Sequence, residues 1–506
     1  MENSQFHKKM ISLLRYSCYN KFTSIITDTE MNILTSTDQN SKYETIAGTL
    51  KVMLESGVLR AGDKLPSLRK ISLEKKVSIS TVLQAYELLE NEGYIESKPK
   101  SGYVVLARKG TSKIPTMPKK PKLVSSFGID ERISSLIDSL QNPDILPLGT
   151  GIPEKEYLPI PSLHKNLKKA ILMADSHNYQ NSQGYPGLRK QLSLRSSLQG
   201  VATHESEIIV TNGCQDALNL CIQVLTKPGD LIAVESPVYF GILQSVQRLG
   251  RKLIEIPVNP IHGMSLSHFE EALNRYPIQC VIINPNFQNP TGSLLSNENK
   301  KILVDLCAGK NIPIIEDDIY GDLYFTASRP LSLKSFDKKE NVYKISSYSK
   351  IISPDLRIGW IVPGKKGPEL QKEIKLSRLA LPSIPQIALS EYLKTSYERN
   401  LKTLRRNLSS NLAKIRESVL KHFPESTYIS NPQGGLVFWI ELPDKIDSLL
   451  LQNEAWKHNV SIAPGPIFSG TGNFRNFLRL SGGVRLTSKV EEKIKTLGKL
   501  ASKLRV

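Results

Sequence analysis

The stretch "SSYSK", residues 346–350, places Lys350 among small residues that leave room for a bound molecule. A single lysine is ordinarily a solvated surface residue, so its meaning rests on its neighbours. Ser347 and Arg357, three before and seven after, both suit a phosphate. Asp317, in "IIEDDIY", follows a short Ile-rich run, and carboxyl ends of buried strands favour ligand sites. Tyr320 lies three residues on and Asn289 sits in "NPNFQNPTG"; both can donate to a phenolic oxygen. "TNGCQDAL" puts Gly213, Cys214 and Gln215 where a helix would begin, with free N–H groups for a phosphate. Tyr239, in "SPVYFG", can stack on an aromatic ring.

These are the demands of pyridoxal 5′-phosphate (PLP): an amine for its aldehyde, an acid for its pyridine nitrogen, donors for its phenolic oxygen and a phosphate cradle. Taken singly, each residue has a plain alternative. Asn289-Pro-Thr-Gly reads equally as a turn, Asp317 as a helix cap and Cys214 as a small core residue. Together, in this order, they are hard to assign to chance.

A second chemistry lies near the start of the chain. Tyr43, Ile46, Ala47, Leu50, Met53 and Leu54 recur at helical spacing, and Gly57 ends the run. Ser67 is placed to cap a second helix and Ser78 a third, whose Val82, Ala85, Tyr86 and Leu89 face inward until Gly93 stops it. "YIESKPKSGYVVL" then reads as two short strands about a turn. Three helices and a hairpin make a winged helix-turn-helix. The third helix presents Ser78, Ile79, Ser80, Thr81 and Gln84 as a recognition surface for the major groove. Arg69 suits a phosphate or guanine, and Lys98, Lys100 and Ser101 occupy the wing turn.

The elements that must hold these groups divide the chain of 506 residues. Residues 1–41 show no clear periodicity. Residues 42–107 form the winged helix-turn-helix, and 108–140 a linker and lead-in. Pro115, Pro118 and Pro121 among Lys113, Lys119, Lys120 and Lys122 predict a semi-extended, solvated linker. From 141 to 506, Val- and Ile-rich runs ("LIAVE", "CVIIN", "IPIIE") alternate with amphipathic segments, predicting an α/β domain with a mainly parallel sheet. The last helix is expected to begin at Ser488 in a capping box with Glu491.

Composition narrows the partners. The net charge of +19 favours a polyanion such as double-stranded DNA. Five cysteines without a CxxC pair predict a reducing compartment, hence the cytoplasm, and eight histidines show no metal spacing. No apolar run is long enough to span a membrane.

Residues 42–106, through "SGVLRAGDKLPSLR", "VSISTV", "AYELLENEGYIE" and "SGYVV", resemble the GntR-type DNA-binding domain. Ile79 stands where that family commonly has arginine. From about residue 145 onward, with "SSYSKIISPDLRIGW" most specific, the chain resembles fold-type I aminotransferases of the kynurenine and 2-aminoadipate branch. That resemblance implies Lys350 as the Schiff-base lysine, Asp317 as the pyridine partner, Asn289 and Tyr320 at the phenolic oxygen and Tyr239 on the ring. It also implies Ser347, Arg357 and residues 213–215 at the phosphate, with Cys214 a departure from another small residue. It further implies that Tyr179, in "NYQNSQGYPGLR", reaches a partner subunit's site, and that Arg479, in "FLRLS", takes an α-carboxylate. The whole arrangement resembles the MocR regulators. The implied fold is a winged helix-turn-helix joined to a fold-type I α/β domain with a smaller α+β subdomain. The implied function is PLP-dependent, DNA-binding transcription regulation by an amine, amino-acid or PLP effector in a head-to-tail homodimer. The alternatives are a working aminotransferase with a DNA-binding appendage, and a regulator that has lost PLP.

Overall fold

The computed structural model describes residues 42–55, 59, 62–91, 94–98, 102–105, 114–124, 133, 142–173, 179 and 181–504. The chain separates into two compact units, Met1–Ala107 and Arg108–Val506.

The first unit contains α1 (Lys42–Glu55), α2 (Leu68–Lys75), α3 (Ile79–Asn91) and a hairpin of β1 (Ile95–Lys98) and β2 (Gly102–Val105). The two expected serine caps are in place. Ser67 Oγ accepts from the Lys70 N–H at 3.3 Å, and Ser78 Oγ accepts from the Thr81 N–H at 3.1 Å. Between them Lys76, in the left-handed region at φ 49°, turns the chain sharply from α2 into α3. The inward residues of α3, Val82, Ala85, Tyr86 and Leu89, are fully buried against Ile46, Leu50 and Met53 of α1 and Ile71 of α2. At roughly 1.5–3 kcal/mol for each large apolar side chain, this stripe fixes the helix in place. Tyr86 carries a polar end into that core, and its hydroxyl donates to Pro66 O at 2.7 Å. The hairpin pairs Ile95 with Val105 and Lys98 with Gly102. Gly57, Gly93, Lys100 and Ser101, read above as helix stops and wing-turn residues, lie outside the described residues.

The second unit is built on a nine-stranded sheet. Its strands are β3 (Lys122–Val124), β4 (Ile209–Thr211), β5 (Leu231–Ser236), β6 (Lys252–Asn259), β7 (Gly263–Met264), β8 (Ile278–Ile283), β9 (Ile314–Asp317), β10 (Val342–Ser347) and β11 (Gly359–Val362). They run in the order β3-β6-β5-β8-β9-β10-β11-β4, with β7 paired to β6. β6, β5, β8, β9 and β10 are mutually parallel, while β3 and β11 run antiparallel to their neighbours. The continuous apolar runs follow from burial on both faces. Ile232, Val234, Cys280 and Ile282 pack on one side with helices Cys214–Leu225 and Phe240–Arg248. Leu231, Ala233, Val281 and Ile283 pack on the other with helices Leu266–Arg275 and Asn297–Gly309.

A smaller antiparallel sheet has β12 (Tyr428–Ile429), β13 (Val437–Glu441), β14 (Ala463–Pro464) and β15 (Phe477–Ser481) in the order β12-β13-β15-β14. The last helix spans Ser488–Lys503, but its cap is Thr487, whose side chain accepts from the Val490 N–H. The expected Ser488 capping box is thus one residue out of register, because an equally good hydroxyl precedes it. Val490, Ile494, Leu497 and Ala501 of that helix are buried as the spacing predicts.

Residues 114–124, read as solvated linker, are instead held by the second unit. β3 pairs Lys122, Leu123 and Val124 with Glu255, Ile254 and Leu253, and Pro115 and Val124 are buried. Proline and lysine content reports that a segment forms no helix, but not whether a sheet edge will take it up. Among the described residues no helix is long and apolar enough to cross a membrane, and no side-chain cluster could hold a metal ion.

Candidate functional site

The parallel strands deliver the chemically active side chains to one end of the sheet. Asp317 ends β9, Ser347 ends β10, and Tyr239, Asn289, Tyr320 and Lys350 follow the carboxyl ends of β5, β8, β9 and β10. At such ends backbone N–H and C=O groups are free of the ladder and loops converge, so a ligand can be surrounded.

Lys350 is half-buried and makes no hydrogen bond or ion pair with any described residue. Burial pushes its amine down from 10.5 to about 8, and Arg479 and Arg357 push the same way against Asp317. An amine so placed is partly neutral near physiological pH and therefore nucleophilic. Asp317 moves oppositely. Burial raises its carboxyl to about 7, opposed by the Ile319 N–H, Cys214 and Lys350. Its Oδ1 accepts from the Ile319 N–H at 3.2 Å and from Cys214 Sγ at 3.6 Å, while Oδ2 accepts from no described residue.

Arg479 lies on β15 opposite Trp439 and is almost wholly buried. Its Nη1 donates to Asn289 Oδ1 at 2.8 Å and Nη2 to Gly149 O, while Nε is buried without a partner. With its oxygen committed to Arg479, the Asn289 amide presents only N–H donors elsewhere. Tyr320 is buried, and burial raises its phenol. A Cβ added to Gly151 would sit 3.2 Å from the Tyr320 hydroxyl and 3.9 Å from Arg479 Nη1, so the backbone at 151 borders the same space. Tyr239 is half-buried, directly ahead of its helix Phe240–Arg248.

On the far side, Gly213 precedes helix Cys214–Leu225 at φ 84° and gives it no side-chain cap. A Cβ at Gly213 would lie 2.7 Å from Arg357 Nη2, and one at Gly359 would lie 2.7 Å from Cys214 N. Glycine at both positions lets Arg357 and β11 close on the positive end of the helix, where an anion is stabilised. Arg357 is exposed and donates to Asn212 O at 3.3 Å. Ser347 is buried and donates to Ser349 Oγ at 3.0 Å. The Gln215 side chain is spent elsewhere, on Gly241 O at 3.0 Å and Ser245 Oγ at 2.6 Å, leaving only its backbone N–H at the helix start.

Sequence reasoning missed Asn284. It is buried at the end of β8, takes its N–H to Glu235 at 2.9 Å, donates its amide to Asp317 O and accepts from the Asn289 N–H at 2.9 Å. It thus sets Asp317 and Asn289 relative to each other. The available signal was its position at the head of "NPNFQNPTG", directly after an apolar run. Tyr179 is 82 % exposed and touches none of this.

The residues present fit pyridoxal phosphate. An unpaired amine, a carboxylate with a free oxygen, amide and phenol donors, a glycine-walled helix N-terminus beside an arginine, and a buried guanidinium with an orphaned N–H match its functional groups and those of an amino acid joined to it.

On the other unit, Arg69, Ser78, Ser80, Gln84 and Lys98 are exposed, Thr81 is half-buried, and Ile79 is 48 % exposed. Ser78 Oγ lies 2.8 Å from both Ser80 Oγ and Thr81 Oγ1, so these hydroxyls form one cluster at the start of α3.

Comparison with known proteins finds relatives of both units. Residues 143–489 match the family "Aminotransferase class I and II", and residues 42–105 match "Bacterial regulatory proteins, gntR family". The chain is 34 % identical to the uncharacterized HTH-type transcriptional regulator YdcR of Escherichia coli over 91 % of its length and 98 % of that protein. It is 30 % identical to the regulator NorG of Staphylococcus aureus over 83 % and 95 %. Among solved structures, Pyrococcus horikoshii kynurenine aminotransferase superposes with a TM-score of 0.69 at 26 % identity, covering 73 % of this chain and 94 % of that one. Thermus thermophilus LysN, an α-aminoadipate aminotransferase, gives 0.68 at 27 % identity over 74 % and 95 %. The chain therefore belongs to the class I and II aminotransferase family and carries, ahead of that domain, the DNA-binding module of the gntR regulators, which is the architecture of the MocR subfamily.

Proposed function

We propose that this protein is a PLP-dependent, DNA-binding transcription regulator whose aminotransferase-like unit senses an amine, an amino acid or PLP itself. The observation that carries the reading is Lys350, an unpaired half-buried amine brought to about 8 beside Asp317, in a chain that also exposes a capped recognition helix. Bound PLP supplies an electrophilic aldehyde carbon and a ring that withdraws electrons from it. Lys350 would hold that aldehyde, and Asp317 Oδ2 the pyridine nitrogen. The Asn289 amide and the Tyr320 hydroxyl would hold the phenolic oxygen, with Tyr239 against the ring. Ser347, Arg357 and the first N–H groups after Gly213 would hold the phosphate.

The chain's own residues then prepare the site for an effector. Asn284 keeps Asp317 and Asn289 in register. Asn289 turns Arg479, whose orphaned Nε awaits an acceptor such as a carboxylate. An effector alters DNA binding only if it binds the two global states with different affinity. Tyr179, exposed in a single chain, suits a head-to-tail homodimer in which it meets the partner's site. A second reading, a working aminotransferase with a DNA-binding appendage, is favoured by the completeness of this set, since a neutral Lys350 is also a base.

The experiment compares wild type and Lys350→Ala for the visible cofactor band, for retention of duplex DNA from upstream of this gene with and without PLP, and for steady-state transamination with an amino-acid panel. The reading expects a yellow wild type, a colourless variant and PLP-dependent retention. Robust turnover without DNA retention would transfer the assignment to the enzyme, and an unchanged band in Lys350→Ala would overturn the cofactor site. Arg69→Ala is expected to weaken retention and to reduce the salt slope by about one.

A further inference from the structure

The segment leading from the DNA-reading unit is fastened at two places on different lobes of the second unit. Thr116 donates its N–H to Glu441 Oε2 at 2.7 Å and its hydroxyl to Glu441 Oε1 at 2.9 Å. Glu441 is the last residue of β13, in the small sheet. Lys119 O then lies 3.1 Å from His268 Nε2, and Lys122–Val124 form the edge of the large sheet. Residues 116–124 therefore strap the small sheet to the large one.

The first fastening adjoins the effector site. β13 and β15 pair Trp439 with Arg479 and Glu441 with Phe477, so the carboxylate that grips the strap is two residues from the neighbour of Arg479. Glu441 is buried, and no other described group donates to its carboxylate. A buried carboxylate without donors is costly, so the clasp stays shut while β13 keeps its place.

We propose that the Thr116–Glu441 clasp sets the length of the tether to the DNA-reading unit, and that a carboxylate drawn onto Arg479 opens it by displacing the β13–β15 pair. This rests on the reading of Arg479 given above. With the clasp shut, the first fastening, at Thr116, comes eleven positions after Val105; with it open, the next, at Lys119, comes fourteen positions after Val105. At about 3.5 Å per extended residue the greatest possible reach grows from about 40 Å to about 50 Å. That gain is about a third of the roughly 34 Å repeat that separates half-sites on DNA, and it lowers the effective concentration of one reader beside the other.

The test is limited trypsin digestion of the PLP-loaded full chain, following cleavage after Lys119, with the cofactor band recorded in parallel. Thr116 is exposed, so Thr116→Val removes one bond without threatening the fold; Glu441→Gln weakens the clasp from the other side. Both variants are expected to keep the band and to be cut about fivefold faster than wild type. Common amino acids, γ-aminobutyrate and taurine are then added. Those that shift the band should speed cleavage of wild type and add nothing in Thr116→Val. Cleavage of Thr116→Val at the wild-type rate, or an equal ligand effect in both proteins, overturns the proposal. A wild type without a cofactor band would instead sink the reading of the PLP site, while the cleavage rates still decide the clasp.

Discussion

Replacing Lys350 by methionine should stabilise the cofactor-free protein. The amine falls from 10.5 to about 8 because burial and the guanidinium groups of Arg479 and Arg357 disfavour its charged form. The folded state thus binds this proton more weakly than the unfolded chain. Below pH 8 both states hold the proton and the penalty is present in full. As pH rises from 8 to 10.5 the folded state releases it first, and the penalty fades. That gap, at roughly 1.4 kcal/mol per pH unit, amounts to about 3 kcal/mol near neutrality. Lys350 is half-buried, so solvent recovers part of this and the figure is an upper bound. Methionine keeps the length of the side chain without the charge. Calorimetry of stripped wild type and Lys350→Met should show the larger domain of the variant melting several degrees higher at pH 7, with the difference shrinking by pH 10. Adding PLP should reverse the order, because only wild type captures it covalently and gains from linkage. A variant that melts no higher than wild type at pH 7, or a difference that ignores pH, would refute the claim that this lysine is held as a strained, partly neutral amine.

Asp317→Asn removes a charge that supports the ammonium form of Lys350, so the rate at which stripped protein captures PLP should reach its midpoint below pH 8; a midpoint at or above the wild-type value would contradict the contact. Gly213→Ala forces a Cβ against Arg357 at φ 84° and should weaken PLP binding about tenfold in a spectrophotometric titration; unchanged affinity would mean that this helix start does not receive the phosphate. Ile79→Arg should tighten binding to random-sequence duplex in a retardation assay, since position 79 is exposed at the start of α3; no change would mean that it faces away from DNA.

Where the chain's chemistry is local, it was legible. The serine caps at 67 and 78 and the stripe Val82, Ala85, Tyr86, Leu89 are short-range patterns, and α3 follows them closely. Fully buried strands announce themselves as unbroken apolar runs, and β5, β8 and β9 lie where those runs are. The cap at Thr487 was misplaced by one residue because two adjacent hydroxyls satisfy the same rule.

By itself, then, the sequence determined which reactive groups the chain owns and which short elements carry them. Only the tertiary structure decided how those groups meet. Asn289 and Arg479 are 190 positions apart, and Cys214 and Asp317 are 103 apart. Asn284 joins β5, β9 and the Asn289 loop through bonds that no local pattern encodes. Thr116 finds Glu441 across 325 residues, turning a segment that composition marks as solvated into a strap. The physical reason is common to all of these. Caps and periodicity act over one or two turns of chain, whereas a parallel sheet brings distant strand ends to one edge, and the partners met there depend on strand order.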